Sequence, residues 1–249
     1  MKFRTIPLSL PRRFMADLSH ARLGVPLGTI KRTINIANVQ QARHQAAVKI
    51  PWTIVFAKAY GLLAAASPPL RRAYVSLPWP NLCEADGSVA TIMIERDWQG
   101  EKALFPAKIK MHTERPLIDL AADLAHALTA PIESIRHFRV ILALSRYPWP
   151  IRRLLWWLTH NIGPLRTAYF GSFGITVLGH LDATITDPVT ILTNTLFYGP
   201  IEQNGDVAIY MAFDHRVMDG ELVATTMANL ETMLNGPVAD ELRALGQRV

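Results

Sequence analysis

The chain has 249 residues, 50% of them apolar, and a formal charge of +6, which excludes intrinsic disorder and leaves room for one large domain or two small ones. The charge is uneven. Residues 1–50 hold nine Lys or Arg against Asp17, residues 131–170 hold six Arg against Glu133, and residues 171–241 hold ten acids against Arg216. Such asymmetry marks a solvated surface, or one that meets phosphates, an anionic membrane or an acidic cofactor.

In chain order, Thr33–Ala37 reads as a strand leading into a helix around Val39 to Ala47. An apolar helix follows from about Trp52 to Ala66, interrupted in its hydropathy by Lys58 and stopped by Pro68-Pro69. Residues 72–77 and 88–95 read as strands, and Lys108–Met111 as a further short one. Pro116 opens a helix over Leu117 to Leu128, whose apolar residues at 117, 120, 121, 124 and 128 share one face. Later strands are expected near Gly174 to Leu178, Val189 to Thr195 and Asp206 to Phe213, and a closing helix from about Glu221 to Leu234. Alternating strands and helices predict an α/β or α+β domain. No stretch reaches the roughly 18 to 20 uncharged apolar residues of a membrane span. The start, Met1-Lys2-Phe3-Arg4, has no secretory core, and the single cysteine, Cys83, precludes an internal disulfide. These features predict a cytoplasmic protein.

Two stretches carry the chemistry. The strand ending at Phe213 delivers Asp214-His215-Arg216-Val217-Met218-Asp219-Gly220 onto a short turn before the closing helix. A histidine fixed at a strand end can act as a general base near neutral pH, or can be a structural histidine with its polar atoms satisfied. Asp219 stands where it would cap the helix, and Gly220 where the backbone must turn. Upstream lies Phe170-Gly171-Ser172-Phe173-Gly174-Ile175-Thr176-Val177-Leu178-Gly179, in which Thr176 reads as an ordinary strand threonine.

Both stretches, in this order, resemble the 2-oxoacid dehydrogenase dihydrolipoyl acyltransferases, whose fold and histidine are shared by the chloramphenicol acetyltransferases. The resemblance covers nearly the whole chain. It implies one catalytic domain over 1–249, an α+β two-layer sandwich with a mixed sheet and flanking helices. It implies acyl transfer from a coenzyme A thioester to a hydroxyl, amine or thiol, with no metal. His215 would be the base, Thr176 the hydroxyl that stabilises the oxyanion, and Asp219 a brace for the loop, with Arg12 or Arg13 as its partner. Asp214, Arg216 and Gly220 would hold the loop. A homotrimer with active sites between subunits is implied. Nothing in the sequence resembles a lipoyl or peripheral-subunit-binding domain. Two alternatives stand beside a self-sufficient enzyme: a core serving lipoyl domains on another chain, and a non-catalytic trimeric scaffold or lipid-binding protein. Beyond residues 135–158 no basic-aromatic motif argues for nucleic acid.

The chain departs from the family at about 131–168. There Arg152, Arg153, Trp156 and Trp157 alternate with Leu and Ile in an apolar and basic insertion. This pattern predicts either a pair of helices packing their aromatics internally, or a lid or peripheral membrane contact at the inner face of the membrane. A lid or membrane contact would serve a long acyl chain or lipid substrate.

Overall fold

The computed structural model describes residues 3–177 and 183–246. Its centre is a six-stranded mixed sheet built from β1 (Leu27–Asn35), β4 (Val89–Trp98), β5 (Glu101–Lys110), β6 (Phe173–Thr176), β7 (Asn194–Ile201) and β8 (Asp206–Asp214), in the order β1-β8-β7-β6-β4-β5. The β6 strand runs parallel to both its neighbours and the other pairs are antiparallel. A two-stranded ribbon, β2 (Arg72–Val75) with β3 (Asn81–Glu84), stands apart.

Helices α2 (Ala37–Gln45), α3 (Trp52–Ala66), α4 (Leu117–Thr129), α8 (Gly220–Met233) and α9 (Ala239–Gly246) supply one layer. The α3 helix is apolar on nearly every side, so it is buried on nearly every side. Its one charge, Lys58, is buried too, and donates to the carbonyls of Thr113 and Arg115 at 2.9 and 2.6 Å. The inward residues of each strand alternate as a sheet requires: Ala90, Ile92 and Ile94 of β4, Phe105, Ala107 and Ile109 of β5, Phe173 and Ile175 of β6.

The other sheet face carries a second layer of α1 (Leu10–Arg22), α5 (Arg136–Arg146), α6 (Trp149–Asn161) and α7 (Gly163–Phe170). At the β5 edge, α5 also turns Phe138 and Leu142 into the main core, the Phe138 ring lying 4.9 Å from that of Phe105. Residues 131–168 thus form helices that pack Phe138, Leu142 and Trp156 inward and leave Trp149, Ile151, Leu154 and Trp157 exposed. The α1 helix starts on Ser9, whose hydroxyl accepts from the Arg12 amide at 3.3 Å, with Pro11 in the first turn.

Three expected strands are corrected. The β1 strand starts at Leu27, six residues early, because its exposed polar residues hide an edge strand that pairs with β8 throughout. The β5 strand starts at Glu101 across a two-residue turn in which Gln99 and Gly100 both take positive φ. Pro106 is tolerated there because β5 is an edge. Val189–Thr193 is not a strand: the Thr190 hydroxyl accepts from the Leu192 amide at 3.2 Å and bends the chain, so pairing begins only at Asn194. Leu178 and Gly179 lie outside the described residues.

Candidate active site

His215 is the first residue beyond β8. The amides of Val217 and Met218 both return to the Asp214 carbonyl, at 3.0 and 3.1 Å, which makes the turn tight. The His215 amide donates to the Pro26 carbonyl at 3.2 Å. Its ring meets the Phe213 ring edge-on, with centroids 4.5 Å apart. Gly28 on β1 makes room for it: a Cβ there would lie 2.8 Å from His215 Nε2. The imidazole is exposed in the single chain, aimed away from the core.

Asp214 and Arg216 hold this turn together. The fully buried Asp214 carboxylate accepts from the Arg216 amide and from its Nε and Nη2, at 3.0, 2.9 and 2.7 Å. Arg216 also donates to the Gly24 carbonyl at 3.1 Å and lies 4.3 Å over the Tyr74 ring. Further support comes from the insertion. Arg166 of α7 is buried and donates to the carbonyls of Tyr74 and Ile191 at 3.0 and 2.8 Å, and to His160 Nε2 at 2.8 Å. Burial pushes its pKa down to about 10, against the opposing pull of Asp214. The Thr193 carbonyl, two residues past Ile191, takes the Asp214 amide at 2.8 Å. Sequence reasoning misses Gly28, Tyr74 and Arg166. Of these only Gly28, in Pro26-Leu27-Gly28, carries a local signal.

Three expectations are corrected here. Asp219 is the N-cap residue of α8, but its exposed side chain makes no capping bond; only its carbonyl serves the helix, accepting from Val223. Arg12 pairs with Glu101 at 3.0 Å and does not reach Asp219 in the protomer, because α1 packs on β5, the far edge of the sheet from β1 and β8. Arg13 donates to the carbonyls of Leu8 and Ser145. Gly220 has no positive φ, and a Cβ there would make only an ordinary 3.6 Å contact with Ile30, so the fold of one chain does not demand glycine.

Thr176 ends β6, half-buried, in the wall of a cavity of about 1110 Å³. The register separates it from His215. Thr176 pairs with Phe197, and Phe197 with Tyr210, five residues before His215. At the spacings of a sheet that is roughly 15 Å or more. To serve one reaction, the hydroxyl would have to lie about 3 Å from the carbonyl oxygen and the imidazole about 3 Å from the acceptor attacking that carbonyl, so no single chain brings the two to one substrate.

Of the four insertion residues, Arg152 and Trp156 turn inward. Arg152 forms a buried ion pair with Asp17 at 2.7 Å, and Trp156 stacks on Phe170 at 5.3 Å and lies 5.7 Å from Phe14. Arg153 is half-buried, 3.9 Å from Asp17 and over the Trp149 ring. Trp157 is exposed beside Leu154. Arg152 is thus committed to Asp17, the one acid of the first fifty residues, whereas the buried Nε and Nη1 of Arg153 make no hydrogen bond among the described residues. No helix among the described residues is long and apolar enough to cross a membrane. Among them no cluster of three or more His, Cys, Asp or Glu could hold a metal ion.

No family model matches this sequence, and no curated protein is a significant sequence relative. The fold, in contrast, has close counterparts. A dihydrolipoamide acetyltransferase of Azotobacter vinelandii superposes with a TM-score of 0.68 at 17% identity, covering 98% of this chain and 94% of that one. A probable dihydrolipoamide acetyltransferase from Listeria monocytogenes gives 0.67 at 13% identity, over 93% and 94%. A chloramphenicol acetyltransferase gives 0.55 at 14%, over 91% and 98%. The chain has the fold of the dihydrolipoyl acyltransferase catalytic cores and of chloramphenicol acetyltransferase.

Proposed function

We propose that the protein is an acyltransferase that moves an acyl group from a coenzyme A thioester to a hydroxyl, amine or thiol, at sites between the subunits of a homotrimer. The observation that carries this reading is the pinned, exposed His215 beside a glycine that clears space for its ring, within an acyltransferase fold. The roles follow from chemistry. His215 takes the proton of the acceptor as its oxygen, nitrogen or sulfur attacks the thioester carbonyl. The oxyanion of the tetrahedral intermediate accepts from the Thr176 hydroxyl of a neighbouring subunit. The intermediate collapses, the C–S bond breaks, and the imidazolium returns its proton to the departing coenzyme A thiolate. Asp214 and Arg216 keep the histidine in place.

The Azotobacter enzyme lends support, since its structure addressed the catalytic roles of a serine, a histidine and an asparagine. Thr176 offers a hydroxyl and His215 the imidazole; Asp219 is a carboxylate in place of an amide. The same likeness favours a second reading, a core that acylates dihydrolipoyl groups carried on another chain.

The test is release of free thiol from acyl-CoA with hydroxyl, amine and dihydrolipoamide acceptors. His215→Ala should lower the rate on the order of 10²–10⁴-fold with the assembly intact. A variant as fast as wild type would remove His215 from the chemistry, and a response to dihydrolipoamide alone would select the second reading.

A further inference from the structure

The cavity beside Thr176 lies between two layers that could have packed directly. Its floor is the outward set of sheet residues, among them Met93 and Leu104, and its roof comes from the insertion and α1, with Val140, Leu155, Trp156 and Phe14. Protein interiors leave few voids larger than a water molecule, because every unfilled apolar surface forfeits contacts. A space of about 1110 Å³ is therefore no packing defect. It lies just above the range of roughly 300–1,000 Å³ that small-molecule sites occupy. An acetyl group held at Thr176 would leave nearly all of it empty.

Position fixes what the cavity would hold. Ile92 pairs with Ile175, so Met93 lies beside Thr176 in the floor. A thioester whose carbonyl meets the Thr176 hydroxyl has its acyl tail at the cavity wall, between the floor and the helical roof. We propose that the cavity is the tail site for a long fatty acyl chain on the donor thioester, so that the donor is a fatty acyl-CoA. This rests on the acyltransferase reading above, in which Thr176 meets the carbonyl. The chain would cover the apolar surface that the fold leaves open, and the inward face of α6 would act as a wall for substrate.

The experiment uses the intact protein and two readouts. The first is equilibrium displacement of the fluorescent fatty acid cis-parinaric acid by unbranched carboxylates from hexanoate to hexadecanoate. Affinity should rise about three- to fourfold per added methylene until the cavity is full. Val140→Trp and Leu155→Trp, which project a ring into the space, should shorten the longest chain accepted. Should either fail to fold, quenching by dibrominated stearate replaces it: quenching in wild type should fall in Trp156→Phe, whose indole lines the cavity. The second readout is thiol release from acetyl-, octanoyl-, dodecanoyl- and hexadecanoyl-CoA, expected to favour the longer donors.

Binding that ignores chain length, alongside His215-dependent turnover of acetyl-CoA, would overturn the tail site and leave the acyltransferase standing. Chain-dependent binding without thiol release from any donor would overturn the donor assignment together with the acyltransferase reading. Binding untouched by the tryptophan variants, with quenching unchanged in Trp156→Phe, would place the chain outside the cavity and sink the proposal.

Discussion

The two faces of the sheet differ sharply although they are made by the same strands. On one, Ile92, Phe105, Phe173 and Ile175 are at most 3% exposed and are covered by the apolar helices. On the other, their neighbours Met93, Leu104, Gly174 and Thr176 border open space under α1 and the insertion. The first face is packed to the density that stability requires. The second gives up that packing and carries the Thr176 hydroxyl. Alternation along a strand thus separates a face packed for stability from one left open.

The contrast can be broken most severely at Phe173, whose ring lies 4.6 Å from that of Tyr60. Phe173→Ala should cost about 3–5 kcal/mol in denaturant unfolding. Met93→Ala, a half-buried floor residue, should cost only about 1 kcal/mol. Equal losses would mean that the cavity face is packed as tightly as the core.

A second prediction concerns the histidine. Gly28→Ala places a methyl 2.8 Å from His215 Nε2 and 3.1 Å from Cζ of the buried Phe213, so the exposed imidazole must swing aside and the core ring must give by a few tenths of an ångström. Thiol release should fall on the order of 10- to 100-fold, since small misplacements of a catalytic group are costly. The thermal midpoint should fall by no more than about 2–4 °C, the equivalent of about 1 kcal/mol. Lost stability with retained rate would show that Gly28 serves the fold alone.

The mildest effect concerns pH and confines itself to the helical roof. Burial, reinforced by Lys108, pushes the pKa of His137 down to about 4. Burial, reinforced by Arg166, pushes that of His160 down to about 3, and its Nε2 accepts from Arg166 only when neutral. Both are depressed below the ordinary value of about 6.5, so the unfolded chain binds the extra protons. Stability should be complete above about pH 6.5 and decline as pH falls toward 4, by at most about 1.4 kcal/mol per pH unit for each histidine. Unfolding midpoints of wild type and His160→Gln would check this: the variant should show the shallower decline. Identical slopes would mean that His160 contributes nothing to the acid sensitivity.

Much of the densely packed half was legible in the sequence, because burial on one side leaves a period. Trp52 to Ala66 is a helix both by its sequence pattern and in the structure, and Leu117, Leu120 and Leu124 lie on the buried face expected of them. The strand before His215 was legible for the same reason. The second layer was harder to read. Arg152 and Arg153 look like surface cations until Asp17, 135 and 136 positions away, is seen between them. Tyr74 and Arg166 reach the His215 turn only through tertiary contacts, and nothing local marks them. The cavity has no linear signature at all, since its wall alternates with the core residue by residue.

The measurement that tests the central claim most directly is complementation between two inactive variants. His215→Ala and Thr176→Ala subunits, each purified alone, should release little thiol from acyl-CoA. Co-expressed and assembled together, they should recover roughly a quarter of wild-type activity, because random trimers pair an intact histidine with a neighbour's intact threonine at about one interface in four. That recovery would establish a site shared between subunits. Mixed assemblies as inactive as their parents would contradict it, and would leave His215 and Thr176 with no substrate in common.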